Sequence, residues 1–211
     1  AVDGVIIHTP KEDDKRLKRL NELNLPFVVH GRSTKSNEVY NWVDVNNESA
    51  FFRATEFLID LGHRSIALLN GMADLDFAIR RTKGYERALS KHQIDLVSDY
   101  ILYGEMTEPY GYRSTIALLD RPSPPTAIIA SSILVANGVR RGVEELGLKM
   151  GRDISILSHD DDLSYFRDES DVPVYSVTRS SVREAGYKSA DLLIKTIEDP
   201  TRQCEGILIE A

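Results

Sequence analysis

Short apolar, β-branched runs alternate with helix-length amphipathic segments along all 211 residues, and this alternation narrows the fold more than any single motif. The runs fall at residues 2–8, 27–30, 42–44, 65–70, 100–103, 126–130, 154–158, 175–178 and 207–210. Most are continuously apolar, as strands buried on both faces of a parallel sheet require. Helical periodicity fills the gaps at 13–23, 47–61, 76–92, 108–119, 134–146 and 182–197. Phe51, Ala54, Leu58 and Leu61 share one helix face ahead of Gly62, and Val135, Val139, Val143 and Leu146 share another ahead of Gly147. Val182, Ala185, Leu192 and Leu193 mark a third face before Asp199-Pro200. The pattern predicts an α/β chain with right-handed crossovers. Ligands of such sheets bind beyond the carboxyl ends of the strands, which directs attention to His8, Arg32, the stretch 71–77, Met106, Ser131-Ser132 and His159-Asp160-Asp161-Asp162.

Composition excludes several classes. The net charge of −7 disfavours a nucleic-acid surface on this segment, since phosphate neutralisation needs clustered Lys and Arg. No apolar run nears the ~18 residues of a membrane span. The single cysteine, Cys204, can form neither an internal disulfide nor a paired-cysteine metal site, so a reducing cytoplasm is expected. Neither a dinucleotide-binding GxGxxG nor a P-loop, a GxSxG elbow or an HExxH helix is present, and no cofactor is expected. The chain opens inside a strand-like run without an initiator Met, so it is expected to be a piece of a longer protein.

Two features carry chemistry. Asp160-Asp161-Asp162 fails as a calcium loop, because Tyr165 and Asp171 stand where glycine and a bidentate glutamate are needed. Beside His159 these carboxylates fit a metal or acid–base site, a hydroxyl-accepting ligand loop, or a cap for a short helix over 163–166. Arg80-Arg81 places two cations near the start of a helix, where the macrodipole favours anions. Arg80 reads as solvated face. Arg81 reads as a donor fork aimed at a hydroxylated or anionic ligand, and Tyr85 as core.

From Leu61-Gly62-His63-Arg64-Ser65-Ile66-Ala67-Leu68, through Arg81-x-x-Gly84-Tyr85-x-x-Ala88-Leu89, the sequence resembles the lac-repressor family of bacterial transcriptional regulators. Val2-Asp3-Gly4-Val5-Ile6, Pro26-Phe27-Val28-Val29, Pro125-Thr126-Ala127-Ile128, Glu145-x-Gly147-Leu148, Asp153-Ile154-Ser155-Ile156 and Asp160-Asp161 match in the family's order, with Arg179 and Gly186 behind them.

The resemblance implies a type I periplasmic-binding-protein-like fold: two parallel-sheet lobes around a ligand cleft, the N-terminal lobe incomplete. It assigns 1–44 and 179–200 to the N-terminal lobe, and 45–178 and 201–211 to the C-terminal lobe. It implies no enzyme. The chain would be an effector sensor for a sugar-like small molecule, coupled to operator DNA through a headpiece outside this chain, in a homodimer without membrane contact. Arg81 falls on the family's effector-clamping arginine and Asp160 on its sugar-binding aspartate; Phe77 and His8 also fall on pocket positions. Three positions depart. Ser132-Ile133 replaces a usual Asn-Asp, Gly31 between His30 and Arg32 replaces a frequent acid, and Met106 stands where some members stack an aromatic ring. The expected ligand contacts are therefore Arg81, Asp160, Phe77, Ser132, Met106, His8 and Arg32, with Arg32 and Arg81 favouring an anionic or heavily hydroxylated ligand. A sugar transporter's binding protein is the nearest rival, and a metal-assisted enzyme using His159, Asp160 and Asp162 is the second.

Overall fold

A computed structural model describes residues 2–160 and 174–211, the side chain of Asp160 excepted. Two all-parallel sheets organise it. The first holds β1 (Val5–His8), β2 (Phe27–His30), β3 (Asn41–Val45) and β9 (Gly206–Ile209), in the order β1-β2-β3-β9. The second holds β4 (Ile66–Asn70), β5 (Ile101–Tyr103), β6 (Ala127–Ala130), β7 (Ser155–Asp160) and β8 (Ser176–Arg179), in the order β5-β4-β6-β7-β8. Every residue of β4 and β6 is buried, as their unbroken apolar runs require.

Among the described residues six α-helices connect the strands: α1 (Lys15–Glu22), α2 (Asn47–Asp60), α3 (Asp76–Lys91), α4 (Glu108–Leu119), α5 (Ile133–Glu145) and α6 (Val182–Glu198). All but α3 start at a side-chain cap: Asp14, Asn46, Thr107, Ser132 and Ser181 each accept a backbone N–H of the first turn. Gly62 and Gly147, at φ +97° and +72°, take the left-handed conformation that ends α2 and α5. The apolar stripes stop earlier than the sequence suggests. Leu61 and Leu146 become the C-caps of these helices and are exposed. None of the described helices is long and apolar enough to cross a membrane.

Helices α2 and α3 meet at backbone distance. A Cβ on Gly84 would lie 2.2 Å from the Glu48 carbonyl oxygen, so only glycine lets the two axes approach this closely. Gly138 does the same between α5 and α4, 2.1 Å from the Glu108 oxygen on that measure.

The C-terminal strand corrects one expected boundary. The resemblance puts residues 201–211 in the second lobe, but β9 pairs with β3 from Trp42↔Gly206 to Val45↔Ile209. The edge of β3 offers unpaired backbone groups, and Ile209 packs with Val28, Val43, Ala185 and Leu192 beneath α6. The chain returns to the second lobe only at its last two residues: Glu210 accepts from Asn46, and the Ala211 carbonyl accepts from Arg53.

Candidate functional site

The carboxyl ends of both sheets face one cleft that opens to solvent and has a free volume of about 150 Å³. Thr9, Pro10, His30, Gly31, Arg32 and Asp44 line it from the first lobe, and Asn47, Phe77, Arg81, Met106 and His159 from the second; Ser180 and Val182 lie on the crossing between β8 and α6.

The best-defined group is Arg81, 6% exposed. Its Nε donates to Asn47 Oδ1 at 2.7 Å and its Nη1 to the Ser131 carbonyl at 2.8 Å. The guanidinium lies between the Phe51 and Phe77 rings, 4.7 and 4.8 Å from their centroids. Helical spacing explains the assembly. Phe77 and Arg81 are four residues apart on α3, and Asn47 and Phe51 are four apart on α2, so each helix presents a pair on one face. The Gly84 contact brings the two faces together.

Arg32 lines the opposite wall. Its Nε donates to Asp44 Oδ2 at 2.8 Å, and its guanidinium lies 4.9 Å from the Trp42 ring centroid. Met106 and Phe77 supply apolar surface.

Two expected contacts fall outside the lining. Ser132 Oγ accepts the Val135 N–H at 3.3 Å and so caps α5. His8 is exposed and outside the lining, its Nδ1 3.2 Å from Nδ1 of the lining residue His30. Asp160 ends β7 with its backbone in register with Arg179; its side chain lies outside the described residues, as do Asp161, Asp162 and the short helix expected at 163–166.

His159 is 1% exposed, and hydroxyls face both its ring nitrogens: Thr178 Oγ1 lies 3.0 Å from Nδ1 and Ser180 Oγ 3.2 Å from Nε2. It is thus built into the wall. Among the described residues no three His, Cys, Asp or Glu side chains cluster as a metal site.

Arg80 is the clearest departure. Expected on a solvated face, it is 6% exposed and ion-paired twice, through Nη1 to Asp44 Oδ2 and through Nε to Asp76 Oδ2 at 2.7 Å. Burial opposes its charge, but the two carboxylates outweigh that and raise its pKa above the usual guanidinium value. The partner that a cation near a helix N-terminus needs is therefore Asp76, one turn earlier.

Sequence reasoning missed Asn47, Asp44, His30 and Ser180. A signal existed for the first two: an acid ending the Trp42-Val43-Asp44 run, and a polar residue just beyond that strand, occupy the positions where α/β sheets bind ligands.

A family model described as a periplasmic binding protein-like domain matches residues 55–211. A regulatory protein of the LacI family from Chloroflexus aggregans, solved as a crystal structure, is 32% identical, superposes with a TM-score of 0.85, and overlaps 99% of this chain and 74% of that one. The chain belongs to the LacI family. Among other relatives, the HTH-type transcriptional regulator AglR of Rhizobium meliloti (strain 1021) is 44% identical over 193 residues, 92% of this chain and 54% of that protein. A transcriptional regulator CelR–cellobiose complex is 28% identical with a TM-score of 0.89, over 99% of this chain and 63% of that one. This LacI-family chain spans 54% to 61% of the length of the first curated relatives it matches. Its two parallel sheets and intervening cleft are the architecture of the family's effector-binding region.

Proposed function

We propose that this chain is the effector-sensing part of a LacI-type transcriptional regulator. A sugar or sugar-like molecule binds between the lobes, and closure is coupled to the operator affinity of a DNA-binding headpiece outside these 211 residues. The working unit on this reading is a cytoplasmic homodimer.

The observation that carries the reading is the seating of Arg81. A guanidinium fixed by two acceptors and two aromatic faces is preorganised, so little side-chain entropy is lost when it meets a ligand. Asp160, at the end of β7, is assigned as acceptor for ligand hydroxyls, while Phe77 and Met106 cover apolar edges and Arg32 contributes from the facing lobe. A ligand touching both lobes stabilises the closed arrangement by its differential affinity, and lobe rotation then alters headpiece spacing. The cellobiose complex among its structural relatives supports a carbohydrate class.

The test is a thermal-shift screen against neutral mono- and disaccharides, sugar phosphates and sugar acids, since a ligand of the folded state raises the melting temperature by mass action. Calorimetry on the hit with Arg81→Ala and Asp160→Ala follows. A weakening of about 30-fold or more is expected for each, the scale of a lost charge-assisted hydrogen bond. Unchanged affinity in Arg81→Ala would remove the assignment.

A further inference from the structure

Beside the cleft, at the boundary of the lobes, four charged side chains meet, of which Asp44, Asp76 and Arg80 are buried and the effector reading uses only Arg32. Arg32 and Asp44 belong to the first lobe, on β2's following loop and on β3; Asp76 and Arg80 belong to α3 of the second. Within each lobe they form a pair, Arg32–Asp44 at 2.8 Å and Arg80–Asp76 at 2.7 Å. Across the boundary Arg80 Nη1 reaches Asp44 Oδ2, and Thr34 of the first lobe donates both its N–H, at 3.0 Å, and its hydroxyl, at 2.6 Å, to Asp76 Oδ1. Backbone bonds run alongside. The Asp76 N–H donates to the Pro10 carbonyl at 3.1 Å, and the Glu12 N–H to that of Asp74 at 3.3 Å.

We infer that this quartet is a reversible interlobe latch that biases the ligand-free chain toward the closed arrangement. The distribution of charge is what makes it reversible. A lone ion pair split across a closing interface leaves two uncompensated charges when it opens, whereas here each half is neutral by itself and opening separates two intact pairs. Among the quartet and Thr34, closure adds one guanidinium–carboxylate contact and two bonds from Thr34, with the two backbone bonds and a Lys11–Asp74 ion pair beside them. Arg80 Nη2 stays buried without a partner even when closed, an unfavourable element that keeps the latch from locking. Both Arg32 and Asp44 line the cleft, so a ligand that binds either of them acts directly on the latch. The latch rests on the sensor reading only for its purpose; its existence is measured without ligand.

The experiment places spin labels at Lys18→Cys on α1 and Arg113→Cys on α4, both exposed, in a Cys204→Ser background, and reads interlobe distances by pulsed electron resonance. Removing the second-lobe half with Asp76→Asn/Arg80→Gln should move the ligand-free distribution to longer distances and broaden it. Thr34→Val, at an exposed position that poses no threat to folding, should shift it in the same direction by less. Arg80→Lys should also lengthen it, because an ammonium lacks the fork that reaches both carboxylates. Circular dichroism reports whether the double variant folds; if it does not, Thr34→Val and Arg80→Lys decide. Distributions identical to the parent in the folded variants overturn the latch. That result leaves effector binding untouched, and an empty sugar screen leaves the latch untouched.

Discussion

In the second lobe two helix pairs, α2–α3 and α4–α5, approach to backbone contact over Gly84, Gly111 and Gly138; in the first lobe α6 carries Gly186 with open space around it. The described cores differ in the same sense. The second lobe holds clusters of thirteen and twelve buried residues, the first lobe clusters of five and four. The cleft wall follows that division: Arg81, Phe77 and Asn47 stand on the tightly joined α2–α3 pair, with Phe51 behind Arg81, while the first lobe contributes Arg32 and His30 from strand ends and loops. The α2–α3 contact fixes the surroundings of Arg81, and the first lobe faces them from strand ends and loops.

Gly84→Ala strikes the dense lobe where it is least able to yield, because its new Cβ would meet the Glu48 oxygen at 2.2 Å and the Phe52 nitrogen at 2.9 Å, both backbone atoms. The expected loss is about 3 kcal/mol in urea denaturation, the upper part of the range for overpacking. Spreading α2 from α3 also separates Asn47 and Phe51 from Arg81, so effector affinity should fall with stability. A loss under about 0.5 kcal/mol, the scale of a neutral surface change, would mean the helices can part freely and would erase the contrast between lobes.

Leu192→Ala makes the corresponding test of the first lobe. Leu192 is 2% exposed in the cluster of Val28, Val43, Ala185 and Ile209. Truncation should cost about 2 kcal/mol, the low end for leucine, because a small cluster collapses more readily around the cavity. Hydrogen exchange should accelerate in β2 and β3 while β6 keeps its protection. Equal acceleration in β6 would show that the lobes unfold as one unit.

What the sequence made legible follows the same line. Every strand and helix expected from periodicity is present, with ends shifted by a few residues, because buried parallel strands and capped amphipathic helices are local patterns. Arg81 was legible because its chemistry and its place beyond a strand agree. The fate of Arg80 was not, since its exposed or buried state depends on Asp44, 36 residues away and in the other lobe. Ser132 lies outside the cleft lining for a local reason: a serine just ahead of a helix serves as its cap. The placement of β9 failed for a topological one, because a lone apolar run fits the open edge of either sheet.

Acid sensitivity should also be stronger in the first lobe. The Asp14 carboxyl is lowered from 3.8 to about 2, chiefly by its hydrogen bond from the Arg16 side chain, with burial opposing and backbone N–H groups of Arg16 and Lys11 assisting. A depressed carboxylate stabilises the fold fully above its unfolded pKa of 3.8 and loses that contribution as pH falls through about 2. With Arg16 half exposed, the effect is discounted to about 1 kcal/mol. Asp14→Asn keeps the α1 cap and removes the charge, so its stability between pH 5 and pH 2 should fall about 1 kcal/mol less than the parent's. Parallel curves would discard the pairing as a source of stability.

Gly186→Ala completes the comparison at its smallest expected effect and with the opposite sign. Gly186 lies inside α6 without a positive φ, and a Cβ there meets nothing within 4 Å. Helix propensity then acts alone, and alanine should stabilise the chain by up to about 1 kcal/mol. The sequence presents Gly84 and Gly186 alike, as single glycines within helical periodicity; the structure makes one a spacer between helices and the other a position of simple backbone freedom. Destabilisation by Gly186→Ala would mean that another surface packs against α6 at this position in the assembled protein. Measuring the variant across protein concentrations separates the cases, because a contact between copies makes the effect concentration-dependent and intrinsic propensity does not.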